Sequence, residues 1–170
     1  MTSVRNPLVL LFGAVAALAT IVGCEKIEER DPCLQPRTVS LRAGVYRRAA
    51  DTGTAVTDTT LRRIILLPIG GQTGFSFSST SKFSLFLSPH ADSCRYVLAT
   101  DTVLTPELLD TLTFRYDRRT QFLSNACGYT YFFILDTVLA TSNRLDSVRM
   151  TNTDVTNDAN PEHIRLFYAR

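Results

Sequence analysis

The stretch TLTFRYDRR, residues 111–119, decides the fold. Leu112, Phe114 and Tyr116 alternate with Thr111, Thr113, Arg115 and Asp117. Apolar and polar residues at period two describe a strand with one buried and one wetted face. Threonine and aromatic residues suit the pleated surface of a sheet. Working outward, CGYTYFFIL (127–135) puts Cys127, Tyr129, Tyr131, Phe133 and Leu135 on one face. KFSLFLS (82–88) does so with Phe83, Leu85 and Leu87, and RTVSLRAGVY (37–46) with Val39, Leu41, Ala43 and Val45. EHIRLFYA (162–169) offers Ile164, Leu166 and Tyr168. RRIILLPI (62–69) is a continuous apolar run and reads as a strand buried on both faces. CRYVLAT (94–100) and DSVRM (146–150) add two weaker candidates.

Between these segments lie turn-rich polar stretches: AADTGTAVTDTT, GGQTG, SPHADS and TNTDVTNDANPE. One helical turn fits TPELLD, with Thr105 as cap and Pro106 in the first position. No long 3.6-residue period appears. About eight short strands over residues 37–170 predict an all-β, antiparallel sandwich of immunoglobulin-like type; a small barrel is the alternative. The 170 residues suit one domain plus a targeting segment, and a net charge of +2 gives no footprint for nucleic acid.

The amino terminus is the targeting segment. One positive charge, Arg5, precedes an uncharged run from Leu8 to Val22. That run is shorter than the roughly 18 to 20 residues of a membrane-spanning helix and has the build of a signal peptide. It ends in Ile21-Val22-Gly23-Cys24, which resembles the bacterial lipobox. The resemblance implies cleavage after Gly23, acylation of Cys24 and a membrane partner through the lipid. Residues 1–23 are then signal peptide, 24–36 a lipidated tether and 37–170 the sandwich. Glu25, Glu28 and Glu29 follow the cysteine. Such an acidic cluster resembles the surface-export signal of Bacteroidetes lipoproteins, so the expected address is the outer membrane, facing the periplasm or the cell surface.

With Cys24 acylated, Cys33, Cys94 and Cys127 remain, and three single pairings are open. An exported protein meets oxidising conditions. The favoured pair is Cys33–Cys127, which staples the end of the tether to the most aromatic strand and leaves Cys94 as a small core-facing residue.

Catalytic patterns are missing from the chain. It has no G-x-S-x-G, H-E-x-x-H or Walker lysine, and GGQTGFSF reads as a hairpin loop. His90 and His163 read as surface or strand-end residues. Asn152, Asp154 and Asp158 offer oxygens, but Asn157 and His163 stand where a calcium loop needs glycine and glutamate. No metal or cofactor is expected. Glutamate in the body is limited to Glu107 and Glu162, which weakens a glycan-hydrolase reading. A noncatalytic envelope module, structural or interacting with an envelope protein, is favoured. The alternative is an envelope protein that hydrolyses glycan or binds it, with Tyr46 and Tyr168 as candidate aromatics for binding.

Two further resemblances bear on this. GCEK, DPC, DTLTFRYDRRTQFLSNACGY and HIRLFY together resemble a family of small Bacteroidetes lipoproteins known only as a domain of unknown function. Its F-x-S step and ACG correspond to Phe122, Ser124, Ala126, Cys127 and Gly128, and Cys94 departs from its pattern. The likeness implies address and fold, and no activity. Seven of the 11 aspartates precede Thr or Ser. Asp-Thr followed by a residue such as Val or Thr resembles the O-glycosylation acceptor of the Bacteroidetes, with Thr59 the first candidate and Thr102 the second. A turn leading into a strand has the same composition.

Overall fold

The structure is a computed structural model that describes residues 32–48, 56–71, 73–100 and 105–168. The signal segment, Cys24 and Thr102 lie outside the described residues. Eleven strands follow in order: β1 (Leu41–Arg48), β2 (Val56–Asp58), β3 (Leu61–Pro68), β4 (Phe75–Thr80), β5 (Lys82–Leu85), β6 (Ser93–Ala99), β7 (Asp110–Ser124), β8 (Gly128–Ala140), β9 (Leu145–Met150), β10 (Asp154–Val155) and β11 (Ile164–Tyr168). Pro106–Leu108 form a single 3-10 turn, with Pro106 at its start and no side-chain bond from Thr105.

The strands form two sheets. In the first, β1 is flanked by β11 on one edge, with β9 beyond it, and by β5 and β2 on the other. The second runs β10-β8-β7-β6-β3-β4. The apolar stripes read from the sequence face one another between them. Leu41, Ala43, Val45, Phe83, Leu85, Ile164 and Leu166 come from the first sheet, and Ile64, Leu66, Leu98, Leu112, Phe114 and Leu135 from the second. The fold is thus an all-β sandwich, compatible with the immunoglobulin-like type. Its pairing is antiparallel except for β1 and β11, which run parallel from Ala43↔Ile164 to Arg47↔Tyr168.

Three differences from the expected layout have physical causes. The FSFSST segment, read as part of a loop, is β4: Phe75 and Phe77 pack on the core while the serines between them are exposed. The chain then crosses to the first sheet at Ser81. Thr80 Oγ1 accepts from Lys82 N there at 3.1 Å, and Val45 N donates to Ser81 O at 2.8 Å. The run in β3 is buried on one face only. Ile64 and Leu66 are fully buried, whereas Leu67 is exposed. In β8 the inward parity changes. Tyr116 pairs with Leu135 but Arg115 with Thr137, so Asp136 is an extra, bulged residue. Phe133 and Leu135 face the core before the bulge, and Val138 and Ala140 pack on it after the bulge.

Candidate interaction site

The long β7–β8 hairpin outruns its neighbours. β6 accompanies β7 only between Asp110 and Arg115. Among the described residues, positions 119–124 and their β8 partners 128–132 pair only with one another, leaving a two-stranded ribbon, whereas β10 still flanks β8 at Phe133 and Ile134. Such a ribbon is marginal in water without support. Its turn is built from Asn125, Ala126 and Cys127: Ser124 Oγ accepts from Cys127 N at 3.0 Å, and Gly128 takes φ +71°, where a Cβ would be strained.

The support comes from the beginning of the domain. Cys33 is bonded to Cys127, with Cα atoms 4.7 Å apart. The lead-in segment then follows the hairpin. Thr130 Oγ1 donates to Arg37 O at 2.9 Å, and Asn157 Nδ2 donates to Pro36 O at 3.0 Å. Around this staple the ribbon exposes its aromatics. Tyr129 is 64% exposed, Phe122 46% and Tyr131 42%, and neighbouring Leu34 is 89% exposed. The Phe122 and Tyr129 rings meet across the strands, tilted by 57°, with centroids 5.1 Å apart. Tyr131 also lines a shallow pocket of about 160 Å³ with Val39, Phe86, Pro89 and Phe133. A patch of this kind can adsorb a flat apolar or amphipathic partner.

Sequence reasoning placed Tyr129 and Tyr131 on the core face. Their parity is right, but the opposing sheet does not extend beneath the ribbon. The glycan candidates Tyr46 and Tyr168 are a correction, because both are buried. Tyr46 lies on the outer face of the first sheet. Its hydroxyl donates to Glu162 Oε2 at 2.8 Å, and burial with that carboxylate pushes its pKa up to about 12. Tyr168 packs into the core, where burial raises its pKa.

The buried polar groups are framework. Asp110 is 1% exposed and clasps the β8–β9 turn. Its Oδ1 accepts from Thr141 Oγ1 and Asn143 N, and its Oδ2 from Arg144 N and Leu145 N, all at 2.7–2.9 Å. His163 stands just before β11 and is fully buried rather than at the surface. Its Nδ1 accepts from Arg42 N at 3.0 Å, and Nε2 is 3.1 Å from Asp154 O, to which it donates in the neutral tautomer. Burial, opposed by the Asp154 carbonyl, lowers its pKa.

His90 is exposed and far from any such network. Asp117 is exposed, while Arg118 pairs with Asp92 at 2.7 Å. In the suspected calcium loop, Asn152 Oδ1 accepts from Asp154 N and Asp158 Oδ1 from Asn160 N, so these side chains close turns. Among the described residues no cluster of three metal-ligating side chains occurs. Cys94 is a half-buried free thiol whose pKa burial raises. Thr59 is half-buried in the two-residue turn between β2 and β3, with its N–H bonded to Val45 O, and not at the tip of a long polar loop.

A sequence profile for a family of unknown function (DUF6452) matches residues 69–168, from the end of β3 through β11. No curated protein and no solved structure matches the chain.

Proposed function

The chain belongs to the family of unknown function DUF6452, and from that premise we propose that it is an envelope lipoprotein, held by acylated Cys24 in the outer membrane and acting there as a noncatalytic structural or interaction module. The observation that supports this reading most is the Cys33–Cys127 bond. Cys33 comes nine residues after Cys24 in the sequence. Nine residues of extended chain reach about 30 Å at most. A lipid on Cys24 would therefore keep the aromatic ribbon close to the membrane, with the sandwich behind it. The bond would let the ribbon keep its shape while the tether is pulled.

On this reading Tyr129, Phe122 and Tyr131 form the face that meets an envelope protein. Glycan binding is the second reading, favoured by the shallow pocket beside Tyr131. Thr59 and Thr102 are the proposed sugar acceptors. Thr59 is half-buried, so a transferase would have to act on it before the β2–β3 turn closes.

The test is metabolic labelling with a palmitate analogue followed by fractionation. Wild-type protein is expected in the membrane and labelled, and Cys24→Ser unlabelled and released with its sandwich folded. An unlabelled wild type would refute the anchor.

A further inference from the structure

The outer face of the first sheet carries a second site, and it does not rest on the lipid anchor. Arg42 lies opposite Ser84 in the β1–β5 register, and Gly44 opposite Lys82. Their alternating neighbours Ala43, Phe83 and Leu85 point into the core, so Arg42, Lys82 and Ser84 share the outward face. Arg42 and Lys82 are diagonal neighbours across the strands, a spacing of roughly 7–8 Å. Together with Asn160, Pro161 and Glu162 they line a pocket of about 200 Å³. That is below the range of about 300–1,000 Å³ for drug-sized ligands, and it suits one small group.

The charges in this pocket do not balance. Its one carboxylate is already committed. Glu162 lies over Gly44 so closely that a Cβ there would clash with Oε2. That oxygen accepts from Tyr46 and Oε1 is paired with Arg165 Nε at 2.7 Å. Arg165 also lies over the Tyr46 ring, 5.0 Å from its centroid. Glu162 and Arg165 cancel one another, and neither cation of the pocket has an ion pair among the described residues. Arg42 Nε is buried and has no hydrogen-bond partner. A buried guanidinium nitrogen left unpaired is costly, and two like charges on adjacent strands repel. A bound oxyanion, reached by the outer guanidinium nitrogens and the ammonium, would relieve the repulsion.

We propose that the pocket formed by Arg42, Lys82 and Ser84 is a receptor for a single oxyanion, the carboxylate or phosphate group of a small ligand. The guanidinium supplies a planar pair of donors, the ammonium a mobile charge and Ser84 a hydroxyl donor. Glu162 lines the same pocket, held by Tyr46 and with its charge offset by Arg165.

Isothermal titration calorimetry of the full chain with inorganic phosphate or with glucuronate, at constant ionic strength, tests this. Binding at one site gives a heat that saturates as the ligand fills it. At least one probe is expected to half-saturate at about 1 mM or below, and which one does so identifies the preferred oxyanion. Lys82→Gln and Arg42→Gln should each raise that concentration at least about tenfold, the loss of one charge-assisted contact. Arg118→Gln, a cation elsewhere on the surface, should leave it unchanged. Lys82 is exposed, so its variant folds even where Arg42→Gln does not. Absence of saturation with both probes, or equal saturation in Lys82→Gln, overturns the proposal.

Discussion

Replacing Cys33 and Cys127 together by alanine removes the link between the lead-in segment and the hairpin. The bond closes a loop with a sequence separation of 94 residues. In the chain-entropy description, a loop of that length restrains the unfolded chain by about 4 to 5 kcal/mol at 25 °C. The native state relaxes as well, which returns part of that amount. Without the bond, residues 33–38 keep two hydrogen bonds, Thr130 Oγ1 to Arg37 O and Asn157 Nδ2 to Pro36 O. Those are worth about 1 kcal/mol each, too little to hold six residues whose ordering costs about 1 kcal/mol or more apiece. The segment should therefore detach before the sandwich unfolds. Two consequences follow for urea denaturation of the oxidised wild type and the double variant. The unfolding free energy should fall by about 3 to 5 kcal/mol, and amide exchange at residues 128–131 should accelerate while that of β1 and β11 does not. Cys94 is a free thiol in both proteins, so it is alkylated before the comparison to prevent its exchange with the disulfide of the wild type. A loss below about 1 kcal/mol, or unchanged exchange at the ribbon, would refute the reasoning.

Asp110→Asn exchanges an acceptor oxygen for an amide that faces backbone donors in the β8–β9 turn, and it should destabilise the protein by about 2 to 4 kcal/mol in urea; a change below about 1 kcal/mol would show that the turn holds itself. His163 is neutral in the fold, with a pKa below its ordinary value. The unfolded chain then binds the proton more readily, so this residue's contribution is complete above about pH 6.5 and shrinks as the pH falls towards the lowered native value. Urea midpoints between pH 7.5 and 5 should fall more steeply for wild type than for His163→Asn; parallel slopes would contradict the assignment.

How legible each feature was depended on whether its cause is local. The stripe of Leu112, Phe114 and Tyr116 is a property of consecutive residues, and it predicts both the strand and its inward face. The same holds for Leu41, Ala43 and Val45. β4 was hidden because serine alternates with Phe75 and Phe77 after a glycine-rich turn, a pattern that loops share. The bulge at Asp136 has no signature in DTVLA, since a parity change is a relation between two strands. The exposure of Tyr129 and Tyr131 was illegible for a similar reason: it is set by where the other sheet stops. His163 looked like a strand-end polar residue, and only the meeting of Arg42 N with Nδ1 and of Asp154 O with Nε2 explains its burial. The Arg42–Lys82 pocket joins residues 40 positions apart through the β1–β5 register, which no spacing rule announces.

On the function proposed above, this sandwich is a lipid-anchored module stapled at its tether. The decisive measurement is the intact mass of the protein extracted with detergent from its own membranes. The expected species is a chain that begins at Cys24, heavier than the polypeptide of residues 24–170 by its acyl groups and lighter by the two hydrogens of the Cys33–Cys127 bond. Added hexose masses would locate the sugar proposed at Thr59 or Thr102 once the peptides are mapped. A mass that retains Met1, or one that begins at Cys24 without acyl groups, would contradict it.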